Sequence, residues 1–261
     1  MSATTLAAPA RLDTAGVHVR PGLGRLVAVE LRKMVDTRAG FWLQIAMVAL
    51  TAVVVIARRV FGDGGDHTFA GVLDVGLQPA AVLLPIVGIL LVTSEWSQRT
   101  GMITFALVPM RSRVLGAKLI ASLVVAVATL VMSIAVVAAG VLVAAPSIDG
   151  TWSHAAPLIA QSAVFLTTGM IVGVAFGMVL LASAPAIVAL FALPIAWTAV
   201  ASLSFLTDAA PWLDTRLALA PMHEEVMSAT QWAHAGTALA IWMLLPLAIG
   251  AWRITRREVA A

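Results

Sequence analysis

Residues 94–118 read SEWSQRTGMITFALVPMRSRVLGAK. The segment lies between two long apolar runs, Val72 to Thr93 and Leu119 to Ala144. Glu95 and Arg99 stand four apart with the acid first, the favourable order for a pair on one helix face. Thr100 and Gly101 make a mixed turn, and an apolar patch follows (Met102, Ile103, Phe105, Leu107, Val108) until Pro109 interrupts it. Arg111, Arg113 and Lys118 then lead into the next run. Such a segment is too polar to lie in lipid and too apolar to float free. It predicts a connection at a membrane surface, with a short helix lying along that surface.

The rest of the chain agrees with lipid as the solvent. It has 261 residues, is 61% hydrophobic and 11% charged, and has a mean hydropathy of +1.00. A water-soluble domain of this length could not hide that much apolar surface. A membrane-crossing helix needs about 20 mostly apolar residues. Six stretches qualify: Phe41 to Ala57, Val72 to Thr93, Leu119 to Ala144, Pro157 to Leu181, Pro185 to Leu206, and Ala233 to Trp252. Arg58 and Arg59 extend the first by snorkelling outward. The fold class expected is all-α: a polytopic membrane protein of six transmembrane helices with an amphipathic interfacial helix before them.

That leading helix is read over Gly22 to Arg38. Leu23, Leu26, Val27, Leu31, Met34 and Val35 follow helical spacing, and Arg25, Arg32, Lys33 and Asp36 fall away from them. This suits an elbow lying in the interface; a solvated helical tail is the bland alternative. Residues 1–21 are low-complexity and expected to be disordered, 22–257 to form one membrane domain, and 258–261 to be a tail. No secretory signal is read before the first span.

Lys and Arg counts orient the spans. Thirteen of the 16 basic residues fall on one side: Arg11, Arg20, Arg25, Arg32, Lys33, Arg38, Arg99, Arg111, Arg113, Lys118, Arg253, Arg256 and Arg257. Only Arg58, Arg59 and Arg216 fall on the other. Both termini and the 94–118 stretch are therefore expected in the cytosol. The opposite side is acidic, with Asp63, Asp66, Asp149, Asp208, Asp214, Glu224 and Glu225. Its longest loop, Thr207 to Trp232, reads either as short helices on or in the outer leaflet or as an ordinary surface loop.

Gly169, Gly173 and Gly177 recur every fourth residue, which allows close helix approach; they are expected to pack helices. Pro79, Pro85, Pro194 and Pro246 lie inside spans and can kink them. Trp42, Trp96, Trp152, Trp212, Trp232 and Trp252 sit near span ends, where tryptophan forms an interfacial belt.

Enzyme signatures fail. His223-Glu224-Glu225 lacks the second histidine of a zinc helix, and no G-x-x-x-x-G-K-[ST] phosphate loop exists. No cysteine is present. His67, His154 and His234 are scattered, so neither a catalytic residue nor a metal site is expected. Asp74 and Glu95 lie at the two ends of the second span rather than near its middle, which lowers a secondary-transporter reading.

The stretch GRLVAVELRKMVDTRAGFWL, two spans, and then SEWSQRTGMITFALVPMRSRVLGAK resemble the permease subunits of type-2 ABC exporters, especially the small six-span permeases of actinobacteria. The likeness rests on Glu95, Trp96, Thr100-Gly101, Pro109, Arg111, Arg113 and Lys118; the Thr-Gly order is reversed from the common Gly-Thr. The topology match runs from Gly22 to Arg257. The resemblance implies a permease of the cell membrane without a cofactor of its own. It implies a separate cytosolic ABC ATPase, likewise in two copies, that carries ATP and Mg and contacts the loop through Glu95, Trp96, Arg99, Thr100, Pro109, Arg111, Arg113 and Lys118. It also implies a second permease copy or paralogue, and export. The apolar spans suggest a lipophilic or amphipathic cargo and membrane lipids as neighbours, with no nucleic-acid partner. The rival readings are a non-transporting scaffold or sensor subunit, then a secondary transporter.

Overall fold

The computed structural model describes residues 22–62, 68–97, 111–144, 150–201, 203–206 and 208–256. Among them there is no strand. The elbow α1 (Leu23–Asp36) is followed by α2 (Arg38–Phe61), α3 (Phe69–Ser97), α4 (Arg111–Ala144), α5 (Ala155–Leu180) and α6 (Ser183–Ala201). A 3-10 turn (Ser204–Leu206) and three short helices come next: α7 (Ala210–Leu213), α8 (Thr215–Leu219) and α9 (Pro221–Glu224). The last long helix is α10 (Ala229–Leu239), a π-helical turn (Ala240–Leu244) and α11 (Leu245–Arg256).

Six of these helices are long and apolar enough to cross a membrane, and the chain has the build of a multi-pass membrane protein. Even the shortest, with 19 residues, reaches roughly 28 Å at 1.5 Å per residue. Long helices suit this solvent because they satisfy every backbone polar group internally. The helices overrun most of the expected spans. α4 begins at Arg111 rather than Leu119, so Arg111 to Lys118 form its first two turns. α6 does the opposite and stops at Ala201 instead of Leu206. The π-helical turn stands just before Pro246 and contains Trp242, whose carbonyl the proline ring would otherwise strike.

α3 and α5 form the centre. α3 is the most deeply buried of the six, through Phe69, Leu73, Leu77, Leu84 and Ile89 among others. Lipid offers no hydrophobic drive between helices, so close backbone packing must hold them. A Cβ added at Gly88 would lie 2.5 Å from the Met170 carbonyl oxygen, and one at Gly177 would lie 3.1 Å from that of Ile89. One at Gly173 would run into the Pro85 backbone. Gly169 is looser, meeting only the Pro85 side chain at 3.5 Å. Thr51 Oγ1 donates to the Gly76 carbonyl at 3.1 Å and ties α2 to α3. α6 and the last helix bury less of their length, but the last helix packs on α5: a Cβ added at Gly250 would lie 2.5 Å from the Met178 side chain, and Ile254 joins the core.

The spans alternate. Lys33, Glu95, Lys118 and Ile254 meet at one end, the end richer in Lys and Arg. Phe69, Thr151, Trp152, Asp74 and His223 lie at the other. The described chain begins and finishes at the basic end.

The α3–α5 seam predicts a sharp contrast between neighbouring glycines. Gly173→Ala should destabilise the detergent-solubilised protein by roughly 1–3 kcal/mol through overpacking, while Gly169→Ala should stay near wild type. Thermal unfolding followed by size-exclusion chromatography reads the difference; equal effects would contradict the seam.

Candidate functional site

Four charges close a ring at the basic end. α1 supplies Glu30 and Lys33, the last turn of α3 supplies Glu95, and the second turn of α4 supplies Lys118. Lys33 Nζ lies 2.8 Å from Glu30 Oε1 and 2.7 Å from Glu95 Oε1. Lys118 Nζ lies 2.7 Å from Glu30 Oε2 and 3.0 Å from Glu95 Oε1. The side chains of Glu30, Glu95 and Lys118 are 4%, 7% and 7% exposed, whereas Lys33 is 38% exposed.

The geometry meets the demands of burial. Two negative and two positive charges cancel. An ammonium has three donors, and Lys118 places all of them, the third on the Leu91 carbonyl at 3.2 Å. Lys33 places two on carboxylates and keeps a face toward solvent. Burial alone would pull the Lys33 pKa down; the hydrogen bonds and charges of Glu30 and Glu95 outweigh it and raise the pKa above the usual lysine value. A raised folded-state pKa contributes stability that is fully present below the unfolded pKa and is lost as pH climbs through the folded one. The Lys33 contribution is therefore intact at neutral pH and fails only under strong alkali.

Neighbouring contacts extend this base. Arg111 Nη1 donates to the Ile254 carbonyl at 3.0 Å, tying the start of α4 to α11. Arg253 donates to the Val179 carbonyl of α5. The hydroxyls of Thr93 and Ser183 share a 2.7 Å hydrogen bond, joining α3 to the start of α6.

Of the residues picked from sequence, Glu95 and Lys118 enter the ring. Trp96 and Arg111 border a small cavity of about 20 Å³ beside it. Arg113 is half-buried and makes no hydrogen bond or ion pair among the described residues. Arg99, Thr100 and Pro109 lie outside the described residues, as do 1–21 and 257–261. The stretch 94–118 is not a surface connection at its ends: Glu95 and Lys118 are helical and buried in the bundle. The Glu95 carboxylate is held by two lysines distant in sequence. Lys33 corrects an expectation, since it turns inward instead of falling away from the bundle. Glu30 was missed. It stands within the apolar stripe of Val27, Leu31 and Met34, and an acid at that register of an amphipathic helix is the signal that could have exposed it.

The opposite end is built differently. The loop expected as short helices or surface coil is short helices, and α9 pushes into the bundle, burying Met222 fully. Gln161 of α5 fastens it. Its Nε2 donates to the Met222 and Glu225 carbonyls at 3.2 and 2.7 Å, and its Oε1 accepts from the Met227 N–H at 2.9 Å. Below α8 lies an apolar cavity of about 210 Å³, lined by Leu84, Pro85, Phe165, Gly169, Phe191, Pro194, Leu219 and Trp242 among others. A second apolar recess of about 360 Å³ shares Phe176 and Trp242 with it.

No protein-family model matches the chain, and no curated protein matches it.

The ring predicts unequal lysines. Lys118→Met leaves two buried carboxylates short of a partner and should cost about 3–5 kcal/mol. Lys33→Met should cost clearly less, because its ammonium is part-solvated. Melting curves of the two purified variants test this; a Lys118→Met protein as stable as wild type would contradict it.

Proposed function

We propose that the chain is the membrane-spanning permease subunit of an ATP-driven ABC exporter, pairing with a separate cytosolic ATPase through residues 94–118. The observation that carries this reading is the ring. It joins the two ends of the stretch, Glu95 and Lys118, to each other and to the elbow α1. A push on residues 98–110 would reach α1, α3 and α4 together rather than bend a single helix end. Rigid transmission of that kind is what a motor outside the membrane requires of its receiver.

Arg113 supports the reading from another direction. It stands three residues past the undescribed segment, and no described residue engages its guanidinium. An acidic surface on an ATPase is a fitting partner for it. Lys and Arg crowd this end, so it faces the cytosol in the proposal, with both termini. Two permease copies, or this chain and a paralogue, would complete the path. The apolar cavity between α3, α5 and α6 favours a lipophilic or amphipathic cargo. The sequence contains no phosphate loop, so ATP and Mg belong to the partner.

Two measurements test this. Single cysteines at Ser112 and Val226, in a chain that has none of its own, should differ toward an impermeant thiol reagent on intact cells: Val226→Cys labels and Ser112→Cys does not. The reverse pattern would overturn the orientation. Purification in mild detergent from the native membrane should bring down an ATPase bearing a phosphate loop. Arg113→Glu should weaken that association by several-fold at unchanged melting temperature. Purification of the chain without any ATPase would favour a scaffold or sensor subunit instead.

A further inference from the structure

At the end remote from the ring, two segments far apart in sequence bring three metal-ligating side chains together. Asp74 comes from the second turn of α3. His223 and Glu224 come from α9. His223 Nδ1 lies 2.9 Å from Asp74 Oδ1, across 149 positions of sequence. One ligand atom from each of Asp74, His223 and Glu224 falls within 4.8 Å of the others. We propose that these three residues form a binding site for a divalent transition-metal ion of the zinc class. The proposal is independent of the transport reading.

The donor set selects the ion class. One imidazole and two carboxylates suit zinc and its first-row neighbours; calcium and magnesium prefer oxygen alone. Zinc binds such ligands at about 2.0–2.2 Å in a tetrahedral array, which sets them roughly 3.4 Å apart. The observed spread of 4.8 Å therefore needs a closure of about 1.4 Å at most, which rotation of the exposed Glu224 side chain can supply. Three protein ligands leave a position for water.

The imidazole is already placed. His223 is 6% exposed, and its ring meets Phe165 edge-on with centroids 5.0 Å apart. The three hydrogen bonds of Gln161 hold the backbone on either side of it. Positioning of this kind lowers the ordering cost of a ligand. Glu224 is exposed and makes no hydrogen bond or ion pair among the described residues, so its carboxylate can swing to the ion. Arg58 is near enough to act on Asp74, and its charge opposes a cation; the two carboxylates outnumber it. An ion here would join α9 to α3, beside the short helix that roofs the apolar cavity.

The experiment uses the full chain, purified without a histidine tag and held in nanodiscs. Zinc chloride is titrated by calorimetry, with magnesium chloride as control. Cobalt chloride follows by visible absorption, which reports the coordination number and geometry of the bound ion. One equivalent of zinc should bind, magnesium should not, and His234→Ala should change nothing. His223→Ala should abolish binding. Glu224→Gln should weaken it by about tenfold or more, at least the loss typical of supporting groups around a metal. Because Glu224 is exposed, that variant keeps the test valid should His223→Ala fail to fold. Absence of zinc binding by the wild type would overturn the proposal, and so would binding that both variants leave intact.

Discussion

Two carboxylates and two ammonium groups meet where water is scarce, and the rest of the basic end is arranged around that fact. Removing one partner from a buried pair costs far more than the pair contributes, because the remaining charge is stranded. Glu30, Lys33, Glu95 and Lys118 answer this by closing on one another. The ring also fixes where α1 can lie. An elbow helix resting on a membrane surface is free to rotate about its axis. One whose acid accepts from Lys118 of α4 and whose lysine reaches Glu95 of α3 is not.

The second constraint is the closeness of α3 and α5. Gly88, Gly173 and Gly177 let the two backbones touch, and Pro85 lies in the seam. This seam and the ring make α1, α3, α4 and α5 a firm body. α6 is attached more lightly, whereas the last helix packs along α5 through Gly250, against Met178, and Ile254, in the core. Pro194 lies inside the continuous α6, a π-helical turn before Pro246 interrupts the last helix, and the apolar recesses lie along the inner sides of both.

Much of the fold was legible. Runs of about 20 apolar residues predict spanning helices whatever their packing, and all six appeared. Helix ends were not, because the backbone keeps its hydrogen bonds past the edge of the apolar run; α4 therefore starts at Arg111. The glycine repeat was readable as a packing face, but its partner Pro85 was not, since the repeat says nothing about what it meets. Charge was the weakest guide. Local spacing offered Arg99 to Glu95, whereas the described partners are 62 and 23 positions away. Glu30 was hidden by being one acid in an otherwise ordinary amphipathic helix. The gathering of Asp74 and His223 could not be read at all, because it depends on a short helix folding back between spans.

Hydrogen exchange of α1 tests the central claim most directly. If the ring fastens the elbow, the amides of residues 23–36 should exchange slowly in wild type, like those of the α3 and α4 ends. They should lose that protection in Lys118→Met while the α3–α5 seam keeps its own. An α1 that exchanges freely in the wild-type protein, or that is unaffected by the loss of Lys118, would contradict the account.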